Sequence, residues 1–125
     1  MDLIDATLQD FGSSMGIHDL RCNEQGILKL EIEGLGSLFI EKAEALVTLY
    51  LVKPLDFPSL TTLKQALAFC HPNESPLCPV SAGLSREEEL AFITHLLPCE
   101  FHLPNLEARI EGLKQLHNRV ANLAK

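Results

Sequence analysis

The segment from Gly26 to Lys53, GILKLEIEGLGSLFIEKAEALVTLYLVK, constrains the fold of this chain more than any other. In its first leg Leu28, Leu30 and Ile32 alternate with Lys29, Glu31 and Glu33, the period of two that marks a half-buried strand. Gly34-Leu35-Gly36 supplies the permissive backbone of a hairpin turn. The second leg places Leu38 and Ile40 on one face and Glu41 on the other, with the large aromatic Phe39 on the charged side. Ala43-Glu44 turns the chain again, without the Gly or Asn that usually assists. The third leg, Ala45 to Val52, is apolar on both faces apart from Thr48 and Tyr50, the composition expected of a strand covered on two sides. An antiparallel meander is therefore predicted to dominate the fold.

A chain of 125 residues is the size of one domain and can bury a core without disulfides or metals to staple it. We expect a single domain over residues 1–125. Acidic residues outnumber basic ones 17 to 10, giving a net charge of -7, and Lys and Arg form no cluster. A phosphate-binding surface, and with it nucleic acid as a partner, is not expected. The longest apolar run, Ala45 to Val52, is far shorter than the roughly 20 residues that span a bilayer. The acidic start MDLIDATLQD does not resemble a signal peptide. These features predict a protein of the cytoplasm with no membrane span. Cys22, Cys70, Cys78 and Cys99, irregularly spaced, read as free thiols in a reducing compartment.

Before the meander, Asp2 is placed to cap a helix with the stripe Ile4, Leu8, Phe11 and Met15, and Gly16 to stop it. Gly12, Ser13 and Ser14 weaken its last turn. Ile17 to Gln25 is polar and reads as a connection. After the meander, Pro54-Leu55-Asp56-Phe57-Pro58 breaks the sheet. Ser59 is placed to cap a second helix with the stripe Leu60, Leu63, Leu67 and Cys70, ending by His71-Pro72. His71 to Pro76 is a loop, and Leu77 to Gly83 reads as a short or edge strand because of Pro79. The last helix opens at Leu103-Pro104 and carries the stripe Leu106, Ile110, Leu113, Leu116, Val120 and Leu123.

Ser85 to Leu97 supports two readings. Ser85 with Glu88 forms a capping box, and Leu90, Ile93 and Leu97 have helical spacing. Leu90-Phe92-Thr94-Leu96 also alternates as a strand does.

Chemistry is sparse. Cys70, His71, Cys78, His95, Cys99 and His102 are the residues a zinc ion would recruit, but no Cys-x-x-Cys knuckle brings two of them together, so no metal site is expected. Ser13 and Ser14 lack the Lys-Ser/Thr ending of a phosphate loop. No nucleophile elbow occurs, and the carboxylates of Glu31, Glu33 and Glu87 to Glu89 read as solvated. No catalytic residue, and no enzyme, is expected. What stands out is apolar surplus: 46% hydrophobic residues and a mean hydropathy of +0.12, more than a small acidic monomer needs. Either the core is generous or some apolar surface meets another chain.

The order helix, three-strand meander, helix, two strands, long terminal helix resembles the class I type III secretion chaperones, the CesT-like family. Leu8 to Ile17 (LQDFGSSMGI), the leg LFIEKAEALVTLYLVKPL and the terminus LPNLEARIEGLKQLHNRVANLA are most similar to the SycN-type branch, which is associated with gatekeeper proteins such as YopN. The resemblance implies an α+β fold, an antiparallel β-sheet flanked by helices in the order α-β-β-β-α-β-β-α. It makes Leu90 to Leu96 a strand beside Leu77 to Gly83. The proline content around Pro76, Pro79 and Pro98 departs from the family pattern.

The resemblance also implies a bacterial cytoplasmic chaperone without cofactor that holds the N-terminal region of a secreted effector or gatekeeper. It would be a homodimer, or a heterodimer with a second small chaperone. Leu60, Leu63, Leu67, Leu90 and Phe92 would form the dimer interface, and Leu3, Leu8, Phe39 and Tyr50 would face the cargo. The alternative is a non-enzymatic interaction or regulatory module unrelated to secretion. A more distant one is a small enzyme completed across a dimer, with His95 or His102 beside a carboxylate.

Overall fold

Alternation in the meander becomes three antiparallel strands, β1 (Ile27–Ile32), β2 (Gly36–Lys42) and β3 (Val47–Pro54), in a computed structural model that describes residues 3–54, 60–70, 80–84 and 89–123. Around them stand α1 (Leu3–Ser14), α2 (Leu60–Phe69), β4 (Val80–Leu84), β5 (Glu89–Leu96), a 3-10 turn at Pro98–Glu100 and α3 (Leu103–Leu123). The sheet order is β1-β2-β3-β5-β4, with antiparallel pairing throughout. This is the α-β-β-β-α-β-β-α order expected. Asp2, Ser59, His71, Cys78, Ser85 and Glu88, to which the sequence assigned capping or ligating roles, lie outside the described residues, as does the start of the expected strand Leu77 to Gly83.

The first turn of the meander is built on Gly36. Its φ of 114° is one that side chains rarely adopt, and a Cβ there would lie 2.5 Å from the Val52 carbonyl oxygen, so only glycine lets β2 come this close to β3. The second turn needs no glycine: the Ala43 amide donates to the Leu46 carbonyl at 3.0 Å, closing a four-residue reversal.

Glu89–Leu96 is a strand, so its alternation prevails over its helical spacing. It pairs on one side with β3, from Val47↔Leu96 to Pro54↔Glu89, and on the other with β4. Two ladders of backbone hydrogen bonds are available only to an extended chain here, and they outweigh local helix propensity. Alternate residues Leu90, Phe92, Thr94 and Leu96 turn inward and are buried.

The three described α-helices share one core with the inward face of the sheet. Ile4, Leu8 and Phe11 of α1, Ala66 of α2 and Leu106, Ile110, Leu113, Leu116 and Val120 of α3 cluster with Leu28, Leu38, Ile40, Leu49, Leu51 and Phe92. Each fully buried leucine contributes on the order of 2 kcal/mol through surface removed from water. Gly12, expected only to weaken α1, lets the following connection close over the helix: a Cβ would sit 2.9 Å from both the Ile17 carbonyl oxygen and Leu20 Cβ. The expected stripe of α2 is Leu60, Leu63, Leu67 and Cys70; among the described side chains the core-facing ones are Leu63, Ala66 and Cys70. Leu67 points away and is 49% exposed. The strand β3 also differs from its sequence reading. Val47, Leu49 and Leu51 are buried, whereas Thr48, Tyr50 and Val52 on the other face are only half-buried and stand outside the core cluster.

Candidate protein-binding surface

The sheet register puts one row of outward side chains across all five strands: Lys29, Phe39, Tyr50, Ile93 and Ser81. Adjacent strands are about 4.8 Å apart, so Phe39, Tyr50 and Ile93 form an apolar band roughly 10 Å wide. Phe39 and Tyr50 stack with ring centroids 4.8 Å apart and planes 7° from parallel. The ammonium of Lys29 lies 5.7 Å from the Phe39 centroid, an attraction to the ring face. The next row, Ser37, Val52, Ala91 and Gly83, extends the band along the strands. On the other side Glu41, Thr48 and His95 follow in register, with Thr48 Oγ1 and His95 Nδ1 3.0 Å apart. Burial in the band pushes the Tyr50 phenol above its ordinary range, and the nearby Glu41 carboxylate pushes it the same way.

Two further apolar surfaces flank the sheet. At one end Leu3 is 64% exposed and Leu97 49%. Leu3, Ile4, Ala43, Pro98 and Cys99, with Lys42 and Glu44 at the rim, line a recess of about 420 Å³. At the opposite edge α2 packs along β4, and there Leu67 and Leu84 are exposed.

These positions revise the sequence assignments. Phe39 and Tyr50 are brought together on the outward face, and Leu3 lies apart from them at the end of the sheet. Leu8, assigned to cargo, is fully enclosed in the core and offers no surface, because its helical phase places it between Ile4 and Phe11. Leu90 and Phe92, assigned to a dimer seam, are likewise fully enclosed, since β5 turns them inward. Leu63 is half-buried against the core and Leu67 is open. The side chain of Leu60 lies outside the described residues. Ile93, Val52, Ala91 and Leu84 were not assigned to a binding surface from the sequence, where Ile93 entered only the helical spacing of Leu90, Ile93 and Leu97. The outward placement of Ile93, Val52 and Ala91 follows from strand pairing, and only the alternation of β5 could have hinted at Ile93.

Of the histidines weighed for catalysis or zinc, His95 meets Thr48 and His102 Nε2 lies 3.0 Å from Asn105 Nδ2, while His71 lies outside the described residues. Among the described residues, no group of three His, Cys, Asp or Glu side chains is placed to hold a metal ion. Among them, too, no helix is long and apolar enough to cross a membrane.

A five-stranded antiparallel sheet with its helices packed on one face is the fold of the type III secretion chaperones. The chain belongs to the family described as Type III secretory system chaperone SycN, which it matches over residues 3–121. None of the curated proteins matches it. Among solved structures it is similar to a chain of the heterodimeric ExoU–SpcU complex from the type III secretion system of Pseudomonas aeruginosa, with 20% identity, 97% of each chain covered and a TM-score of 0.69. It is also similar to a chain of the Yersinia pestis type III secretion chaperone SycH in complex with a stable fragment of YscM2, with 16% identity, 96% of this chain and 98% of that one covered and a TM-score of 0.70. A chain of the ExsC–ExsE complex has 18% identity, coverage of 90% and 89%, and a TM-score of 0.74. At these identities the likeness is one of fold.

Proposed function

We propose that this chain is a cytoplasmic, non-enzymatic chaperone that binds the N-terminal region of a secreted protein, a YopN-like gatekeeper, and keeps it competent for secretion. It works as a dimer, either with itself or with a second small chaperone. The observation that carries the proposal is the outward band of Phe39, Tyr50 and Ile93, an apolar surface that the chain's own helices leave outside the core. A stacked aromatic pair at the centre of a surface is the kind of group that dominates protein binding. Membership of the SycN family supports the secretory role. Structural relatives crystallised as chaperone complexes, SycH with a YscM2 fragment among them, support the binding role. Leu3 beside the end recess is a second cargo contact. Leu63 and Leu67 of α2, with Leu84 of β4, form the seam with the partner chaperone.

Co-expression of the chain with a candidate gatekeeper and recovery of the complex by affinity tag tests the proposal. The complex is expected to survive in buffer, to vanish when the gatekeeper's N-terminal region is deleted, and to weaken about tenfold or more with Phe39→Ser, as for a central aromatic anchor. Recovery that is indifferent to both changes overturns it.

A further inference from the structure

We infer that the outward face of the sheet takes an amphipathic helix whose apolar stripe is flanked by Lys or Arg, so that the cargo segment recognised there is cationic as well as apolar. The inference rests on the cargo reading of this face and adds the chemistry of what binds.

Backbone accounting favours a helix. The central band lies on β2, β3 and β5, each of which has a hydrogen-bonded neighbour on both sides. Their main-chain groups are committed within the sheet, so an occupant of the face must satisfy its own N–H and C=O groups. A helix does this internally. Its diameter of about 10 Å with side chains matches the band from Phe39 across Tyr50 to Ile93.

Charge decides the flanks. On the strands, among the described residues, the outward positions carry Glu31, Glu41 and Glu89 against the single cation Lys29. Lys29 Nζ itself lies 3.6 Å from Glu31. Glu41 bears on the Tyr50 phenol, so its negative potential reaches the aromatic band. A second copy docked through this face would set the same carboxylates against these, which like-charge repulsion disfavours. Basic side chains beside the stripe would meet the carboxylates and could lie over Tyr50 as Lys29 lies near Phe39.

Two synthetic peptides with the same Leu/Ile helical stripe, one flanked by Lys and Arg and the other by Glu, test this by titration against the full chain. The basic peptide is expected to bind about fivefold or more tightly than the acidic one, as rim charges allow. The double substitution Glu31→Lys with Glu41→Lys should reverse the order, and Phe39→Ser should abolish both, with circular dichroism confirming that each variant is folded. Equal binding of the two peptides by the wild-type chain, both lost with Phe39→Ser, overturns the cationic inference and leaves the cargo face standing. Failure of both peptides and of the gatekeeper to depend on Phe39 overturns the cargo face itself. If Phe39→Ser instead converts a dimer of the chain to monomer, the face is a seam between copies and the inference falls.

Discussion

His117 of α3 donates from Nε2 to the main-chain carbonyl of Leu51 in β3 at 2.7 Å, and its ring stands edge-on to Phe92 at 4.8 Å. A carbonyl only accepts, so the proton of the neutral ring is fixed on Nε2. Burial, with Lys53 adding to it and the Leu51 bond opposing it, lowers the pKa of this histidine from 6.5 to about 4. In the unfolded chain the ring takes a proton near pH 6.5, before the folded chain does. Stability is therefore fully present above that pH and is lost as pH falls from about 6.5 to about 4, by about 3 kcal/mol in all. Thermal melts of the wild type and His117→Gln between pH 7 and 4.5 check this. The wild type should lose stability more steeply on acidification, and parallel profiles would remove the assignment.

Leu8 separates core from binding surface. It is fully buried, so Leu8→Ala should cost about 2–5 kcal/mol of stability. Below its lowered melting temperature the variant should bind cargo as the wild type does. Tyr50→Ala should do the opposite, weakening cargo binding while changing stability far less. Chemical denaturation paired with titration of the gatekeeper distinguishes the two.

Gly36 and Gly83 make a matched pair of substitutions. Gly36→Ala meets both a φ of 114° and the Val52 carbonyl at 2.5 Å, whereas a Cβ at Gly83 meets nothing within 4 Å. The first should destabilise by about 2–3 kcal/mol and the second by less than about 1 kcal/mol. Urea midpoints at constant slope measure both.

Leu67 is 49% exposed on α2, so Leu67→Arg should leave the fold of the single chain intact, with stability changed by less than about 1 kcal/mol. Light scattering should show loss of the dimer, or of the complex with a partner chaperone. A dimer that persists moves the seam elsewhere.

Much of this protein was legible along the chain. Alternation from Leu28 to Ile32 and again to Ile40 specified strands and their inward faces, and the stripe from Leu106 to Val120 specified the last helix, because a period of two or of 3.6 residues is a local property. The aromatic Phe39 on a charged strand face also announced itself as a surface group. Tertiary structure decided the rest. Residues 90 to 96 fit two periods, and only the hydrogen-bonding edges of β3 and β4 made them a strand. That pairing turned Leu90 and Phe92 into the core and set Ile93 beside Tyr50. Likewise Leu8 and Leu67 are both leucines on helical stripes, and what distinguishes the buried one from the open one is which neighbour covers it. A sequence records the period of its side chains, but burial depends on the partner element each face meets, and that is fixed only when the chain has folded.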